Sequence, residues 1–407
     1  MAGLDFEAKS KMKSNSLKSQ VTMLMILGLV MFIVISLVLY LSKSAVKKQS
    51  QQNIKKTQDS AAEIQPIKEF AAKCLDKLAK DALVLIGRQG GYIYSSQGGT
   101  LVDYQETDEG LFFVGHEGMK VAYNIQPPKF AIPPYASDVP DYPWKTFPYR
   151  TAGSSAEIFE GFFGIINIPP LNSSEGPNSI QSQIESFIDS NIAGCIDSSI
   201  FEKQGLKIQM QQPKTSAIIG SGNIAVSTSM PISISNPATN EYAELEDFSA
   251  TLDIGLRGIY FFAKDIMEND IRDIRFNMSS VKNNKGSLRI KVIKDAFSSD
   301  DLAIITDDQS LINGKPYEYI FARKNRAPAL YYIKKNEMEF PHNFEIKQDT
   351  LLKNYELKAE DPDEDSYRFT ITPELPKVLN IPQIKFKVEV SDGQHSDYQI
   401  ITVNRIE

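Results

Sequence analysis

Val21 to Leu41 reads VTMLMILGLVMFIVISLVLYL, an apolar run with no charged residue and only Thr22, Gly28, Ser36 and Tyr40 as mild exceptions. Wound as a helix, it spans roughly 32 Å at about 1.5 Å per residue, close to the ~30 Å hydrocarbon core of a bilayer. A helix buried in a soluble core rarely runs this far without a polar face. A cleaved secretory leader fits poorly, because its apolar core is about 7–15 residues long and no A-x-A site follows here. The run therefore predicts a transmembrane helix over residues 21–42 that persists in the mature chain. Residues 1–20 become a short tail on one side, and everything beyond residue 42 lies on the other.

Which side is which is not decided by lysine counting. Lys9, Lys11, Lys13 and Lys18 precede the run, against Asp5 and Glu7, while Lys43, Lys47, Lys48, Lys55 and Lys56 follow it. The positive-inside rule separates nothing when both flanks are basic. Two glycosylation sequons, starting at Asn172 (Asn-Ser-Ser) and Asn277 (Asn-Met-Ser), lie in the C-terminal part, but such triplets arise often by chance. The main ground for placing that part outside, with tail 1–20 in the cytoplasm, is the extracellular style of residues 325–407. Lys18-Ser19-Gln20, directly before the apolar run, resembles the processing site of archaeal type IV pilin-like precursors. That resemblance implies a cut between Ser19 and Gln20 and a helix packed into a filament core; a plain anchor helix is the other reading. As a whole, the chain is similar to the large membrane-anchored surface proteins of small-genome archaea, which implies a cell-surface location without implying an activity.

The chain has 407 residues, 42% hydrophobic and 23% charged, which is globular material for more than one core. A net charge of −7 argues against a nucleic-acid partner, since phosphate binding draws on clustered Lys and Arg. Residues 43–60 are polar helix formers and read as a stalk. A first helix follows, with Pro66 in its first turn, Ile67, Phe70, Cys74 and Leu78 on one stripe and Gly87 as its stop. The segment from Pro127 to Pro148 holds seven of the 21 prolines among Phe130, Tyr135, Tyr142, Trp144 and Phe147. It cannot be a central strand; its aromatics either form a sugar- or peptide-binding face or pin a long loop to the domain. A second helix is predicted with Asn178 as its cap and Gln181 as capping-box partner, and with Ile180, Ile184, Phe187, Ile188, Ile192, Cys195 and Ile196 along one stripe. Alternating strands and a helix-like stretch at Leu256–Met267 complete an α+β head over residues 61–324, with a possible subdomain split near residue 210.

Cys74 and Cys195 sit on the apolar stripes of the two predicted helices, and each is followed by an apolar residue and Asp (Cys-Leu-Asp, Cys-Ile-Asp). The parallel predicts a disulfide between packed helices outside the cell. The alternative is two small core residues that never meet.

Residues 325–407 carry the most specific pattern. Asn325-Arg326-Ala327-Pro328 is followed by Ala359-Glu360-Asp361-Pro362-Asp363-Glu364-Asp365 and then by Val390-Ser391-Asp392-Gly393 before a final strand. This order resembles the cadherin-like, dystroglycan-type immunoglobulin-like repeats of extracellular proteins. The resemblance implies a C-terminal all-β sandwich, and the short alternating runs agree, reading as antiparallel strands. Asp361, Asp363, Asp365 and Asp392 are then candidate calcium ligands, since calcium wants six to eight oxygens; the alternative is a solvated acidic turn. Glu364 departs from the pattern, where the family usually has Gly.

No catalytic string is complete. His116-Glu117 has Lys120 where H-E-x-x-H needs its second His, Gly220-x-Gly222 lacks a third glycine, and His116, His342 and His395 lie far apart. The sequence thus predicts a transmembrane helix and stalk, an α+β head and an immunoglobulin-like end, forming a non-enzymatic surface protein for adhesion, envelope structure or partner binding. Calcium is the one cofactor in view, and the partners are a membrane, other surface proteins, glycans or copies of itself. A pilin-like filament subunit and an anchored hydrolase with an acid pair in a cleft are the alternatives.

Overall fold

A computed structural model describes residues 61–101, 113–127, 163–238, 241–330, 337–341, 358–373 and 382–406. Residues 63–407 form one compact unit. It opens with helix α1 (Ala61–Arg88), which buries Ile67, Ala71, Cys74, Leu75, Leu78, Ala82, Leu83 and Ile86 at helical spacing. The helix begins ahead of Pro66 and runs past Gly87, so both predicted boundaries are corrected. Its stop is Gly90 and Gly91, both at positive φ, with the Gly91 amide donating to Ile86 O at 2.8 Å. Gly87 answers a different need: a Cβ there would sit 2.2 Å from the Glu318 carbonyl oxygen.

Two sheets carry the head. The first orders β1 (Phe113–His116), β2 (Met119–Gln126), β10 (Lys315–Arg323), β9 (Asp300–Ile312) and β8 (Leu288–Phe297), with β3 (Ile165–Ile166) beside β2. Strands β2 and β10 run parallel; the other pairs are antiparallel. The second sheet centres on β6 (Ile224–Asn236), flanked by β4 (Lys207–Met210) and β5 (Lys214–Ile219) on one side and β7 (Glu241–Leu252) on the other. Strand β5 alternates exposed and buried residues without a break, the period-2 signature of a half-buried strand. Helices α2 (Ile180–Cys195), α3 (Ser199–Glu202) and α4 (Leu256–Arg272) complete the head. A single apolar core joins α1, α2, α4 and residues of both sheets.

Helix α2 is capped one residue later than expected. Ser179, not Asn178, is the N-cap, and its side chain accepts from the Ser182 amide at 3.1 Å. Gln181 accepts from the Ser173 amide instead, so the predicted capping box is absent. The Asn178 carbonyl accepts from the buried Gln183 side chain.

Beyond β10, strands β11 (Ala329–Leu330) and β13 (Ala359–Glu360) pair antiparallel. A four-stranded sheet follows in the order β12 (Glu337–Pro341), β16 (Ser396–Ile406), β15 (Gln383–Ser391), β14 (Arg368–Thr372). Strand β12 lies parallel to β16, which corrects the expectation of a purely antiparallel end.

The predicted fold class is corrected as well. The described chain is mostly β-sheet with few helices, and among the described residues no helix is long and apolar enough to cross a membrane. The segment assigned to a transmembrane helix (21–42), the stalk (43–60), and Ser19 and Gln20 fall outside the described residues, as does most of the aromatic stretch 127–148.

Candidate functional site

Strand β10 ends on Arg323, and the chain continues through Lys324, Asn325 and Arg326 into β11. Both guanidinium groups turn inward, with Arg323 3% and Arg326 0% exposed. Arg323 Nη1 donates to Asp270 Oδ1 on α4 at 2.7 Å, and its Nη2 to Asp301 Oδ2 on β9. Its Nε lies 3.1 Å from Asp363 Oδ1, an ion contact without hydrogen-bond alignment. Arg326 holds Asp363 through Nη2 at 2.7 Å and Nε at 3.1 Å, and its backbone amide donates to Asp363 Oδ2 at 2.7 Å. It also donates to the carbonyls of Phe163 at 2.9 Å and Pro362 at 3.0 Å, and lies 2.9 Å from Asp270 Oδ2. One guanidinium thus ties together α4, the segment before β3 and the turn after β13.

The electrostatics follow from this geometry. Burial alone would pull the Arg326 guanidinium down, but Asp270 and Asp363 outweigh it and hold its pKa above the ordinary value. Arg323 is raised for the same reason by Asp270, Asp363 and Asp301. Burial would push Asp363 up, yet Arg326 and Arg323 hold its carboxyl below the usual carboxylate range. Lys294 Nζ stands 3.3 Å from Asp301 and adds a cation at the edge of the cluster.

The four candidate calcium ligands have three separate fates. Asp363 is committed to the two arginines. Asp361 accepts the Asp363 and Asp365 amides on Oδ1 at 2.8 and 3.0 Å, while its Oδ2 is buried with no hydrogen-bond partner. Burial pushes Asp361 up to about 7 and Asp365 up to about 6. Asp392 folds its own turn, accepting from the Gln394 and His395 amides at 2.7 Å and from Asn325 Nδ2 at 3.0 Å. Among the described residues, no three His, Cys, Asp or Glu side chains are gathered so as to hold a metal ion. The solvated-turn alternative is corrected, because Asp361 and Asp363 are 7% and 2% exposed. Glu364 adopts φ +62°, a left-handed turn that a Gly would take without strain.

Elsewhere, Cys74 and Cys195 are disulfide-bonded with Cα atoms 5.8 Å apart. Asn277 is exposed, whereas the half-buried Asn172 side chain donates to Glu175 at 2.8 Å. His116 packs edge-on against Phe297, His395 lies on an exposed turn, and His342 is outside the described residues. An open groove of about 550 Å³ between α2 and β5 contains the acid pair Glu185 and Asp189. Both serve the strand edge: Glu185 Oε1 accepts the Ala217 amide at 2.8 Å, and Asp189 accepts from Thr215. Burial raises the Asp189 carboxyl despite that bond.

Compared with known proteins, the chain matches no family model and no curated protein.

Sequence reasoning missed the basic half of the cluster. Arg323 closes an otherwise apolar strand end (YIFAR), and Asp270 faces the core on α4; a charge on an apolar face was the available signal.

Proposed function

We propose that this chain is a non-enzymatic surface protein that works outside the cytoplasm by binding partners or holding envelope structure. The observation that carries this reading is the Cys74–Cys195 disulfide, which ties α1 to α2 inside the main core. Such bonds form and persist in oxidising compartments and are rare in the cytosol. The apolar run at residues 21–41 supports attachment at a membrane, with residues 61–407 displayed beyond it. The buried arginine cluster supports display as well, because it fixes the C-terminal strands against the head so that a bound partner meets one rigid surface. Other surface proteins, glycans and further copies of the chain are the partner classes in view.

The test combines two readouts on intact cells. Protease added from outside is expected to remove residues 61–407, and the denatured, unreduced protein is expected to show no titratable thiol. Full protection until lysis, together with two free thiols, would overturn the assignment.

A further inference from the structure

The second head sheet turns Val226, Ile232, Phe248 and Leu252 into the core and leaves its other face bare among the described residues. Residues paired directly across strands share a face, so the register gives that outer face row by row. Along β6 it carries Ser227, Ser229, Ser233 and Ser235, a line of hydroxyls. On one side, Lys214 stands opposite Ser229, Gln209 opposite Ser233 and Lys207 opposite Ser235. On the other side, Asp247, Glu244 and Tyr242 stand opposite the same three serines. All six flanking residues are exposed, Tyr242 to 64%. None of the four charges forms an ion pair with another described residue. The face is therefore cationic along one edge, anionic along the other and lined with hydroxyls between.

We infer that this face is the contact between two copies of the chain, related by a twofold axis that runs along β6. Rotation about that axis lays the β4 and β5 side of one copy over β7 of the other, so each row meets its own reverse. Lys214 then stands over Asp247, Gln209 over Glu244 and Lys207 over the Tyr242 ring, and each contact is made twice. Serines meet serines, and a hydroxyl both donates and accepts, so the central line is complementary to itself. A twofold across the strands would instead stack β7 on β7 and set carboxylates against carboxylates. Three strands about 4.8 Å apart, over about 34 Å of β6, offer roughly 500 Å² per copy, at the small end of specific interfaces. Such a contact gains from copies held on one surface. The inference rests on the reading of the chain as a surface or envelope protein, and names its partner as itself.

The chain's two cysteines are joined to each other, so Ser227→Cys supplies the one free thiol, and it lies on the axis. In isolated membranes bearing the full chain, a bis-maleimide spanning about 10 Å, the separation of stacked sheets, is expected to join two copies there. Val281→Cys, at an 80% exposed position between α4 and β8 and off this face, is expected to give no dimer. Lys214→Glu or Asp247→Lys, each added to the Ser227→Cys chain, turns two attractions per dimer into two repulsions. Crosslinking is then expected to fall at least about tenfold. Co-expressed, the two variants again set opposite charges against each other at both sites. The dimer is expected to return, which also shows that both variants are folded. No dimer from Ser227→Cys, as much dimer from Val281→Cys, a dimer that survives either reversal, or no recovery on co-expression would overturn the proposal. Those outcomes leave the surface-protein reading standing, since protease access and thiol state test it separately.

Discussion

Replacing Arg326 with Leu removes the guanidinium that three parts of the fold share. The change deletes contacts to Asp363 at 2.7 and 3.1 Å, one to Asp270 at 2.9 Å and donations to two buried carbonyls. Arg323 remains, 2.7 Å from Asp270 and 3.1 Å from Asp363, and offsets part of the loss. Breaking a buried pair by removing one partner costs about 3–5 kcal/mol, and stranded carbonyls add roughly 1 kcal/mol or more. With the Arg323 offset, the expected loss is about 4 kcal/mol by equilibrium urea unfolding. The acid side checks the cause. A carboxyl with a depressed folded pKa contributes stability above its unfolded pKa near 4, and loses it as pH falls through the folded value. Asp363 is such a group, so Arg326→Leu should flatten the decline below pH 4. In a cycle with Asp363→Leu, the double variant should lose at least ~2 kcal/mol less than the two singles added together. Singles each costing under about 1 kcal/mol, or a strictly additive pair, would refute this account of the cluster.

Replacing both Cys74 and Cys195 with Ala opens a loop of 121 residues and should cost about 5 kcal/mol by the chain-entropy estimate, read in the same urea assay. Asp361 has a folded pKa of about 7 against an unfolded value near 4, so its contribution is full below pH 4 and disappears as pH rises through 7. Asp361→Asn keeps an acceptor for the Asp363 and Asp365 amides, and should raise stability at pH 8 relative to wild type while changing little at pH 4. Millimolar calcium is expected to leave the melting temperature of the wild type unchanged, because Asp363 is taken by two arginines; a rise that Asp361→Asn abolishes would return the turn to calcium.

What the sequence made legible was whatever local periodicity or pairing chemistry decides. The stripe Ile180, Ile184, Ile188, Ile192 identifies α2, and the matched Cys-Leu-Asp and Cys-Ile-Asp strings led to the disulfide. Boundaries were less legible because competing residues sit side by side. Asn178 and Ser179 are both good caps; Ser179 takes the role, while the Asn178 carbonyl accepts from Gln183, itself held by Gly91 and Ile93. Gly87 looked like a stop because the sequence does not reveal that β10 passes within 2.2 Å of its missing Cβ. The parallel pairing of β2 with β10 joins residues nearly two hundred positions apart, which no local pattern encodes.

The same limit explains why the acidic turn was read as a cation site and its arginines were not. The motif supplies Asp361, Asp363 and Asp365 close together in sequence, while Asp270, Asp301 and Arg323 arrive from α4, β9 and β10. Once Arg323 and Arg326 are counted, the core of the cluster holds two cations against Asp270, Asp301 and Asp363, and Lys294 beside Asp301 supplies the third positive charge. A balanced, hydrogen-bonded network of this kind adds little net stability over an apolar core, because desolvation offsets most of the attraction. Its consequence is geometric. Asp363 accepts from both arginines in one arrangement of turn and strand, whereas an apolar plug would tolerate several. The charges therefore fix how residues 325–407 are seated on the head, which is the property that a chain presenting one face to a partner requires.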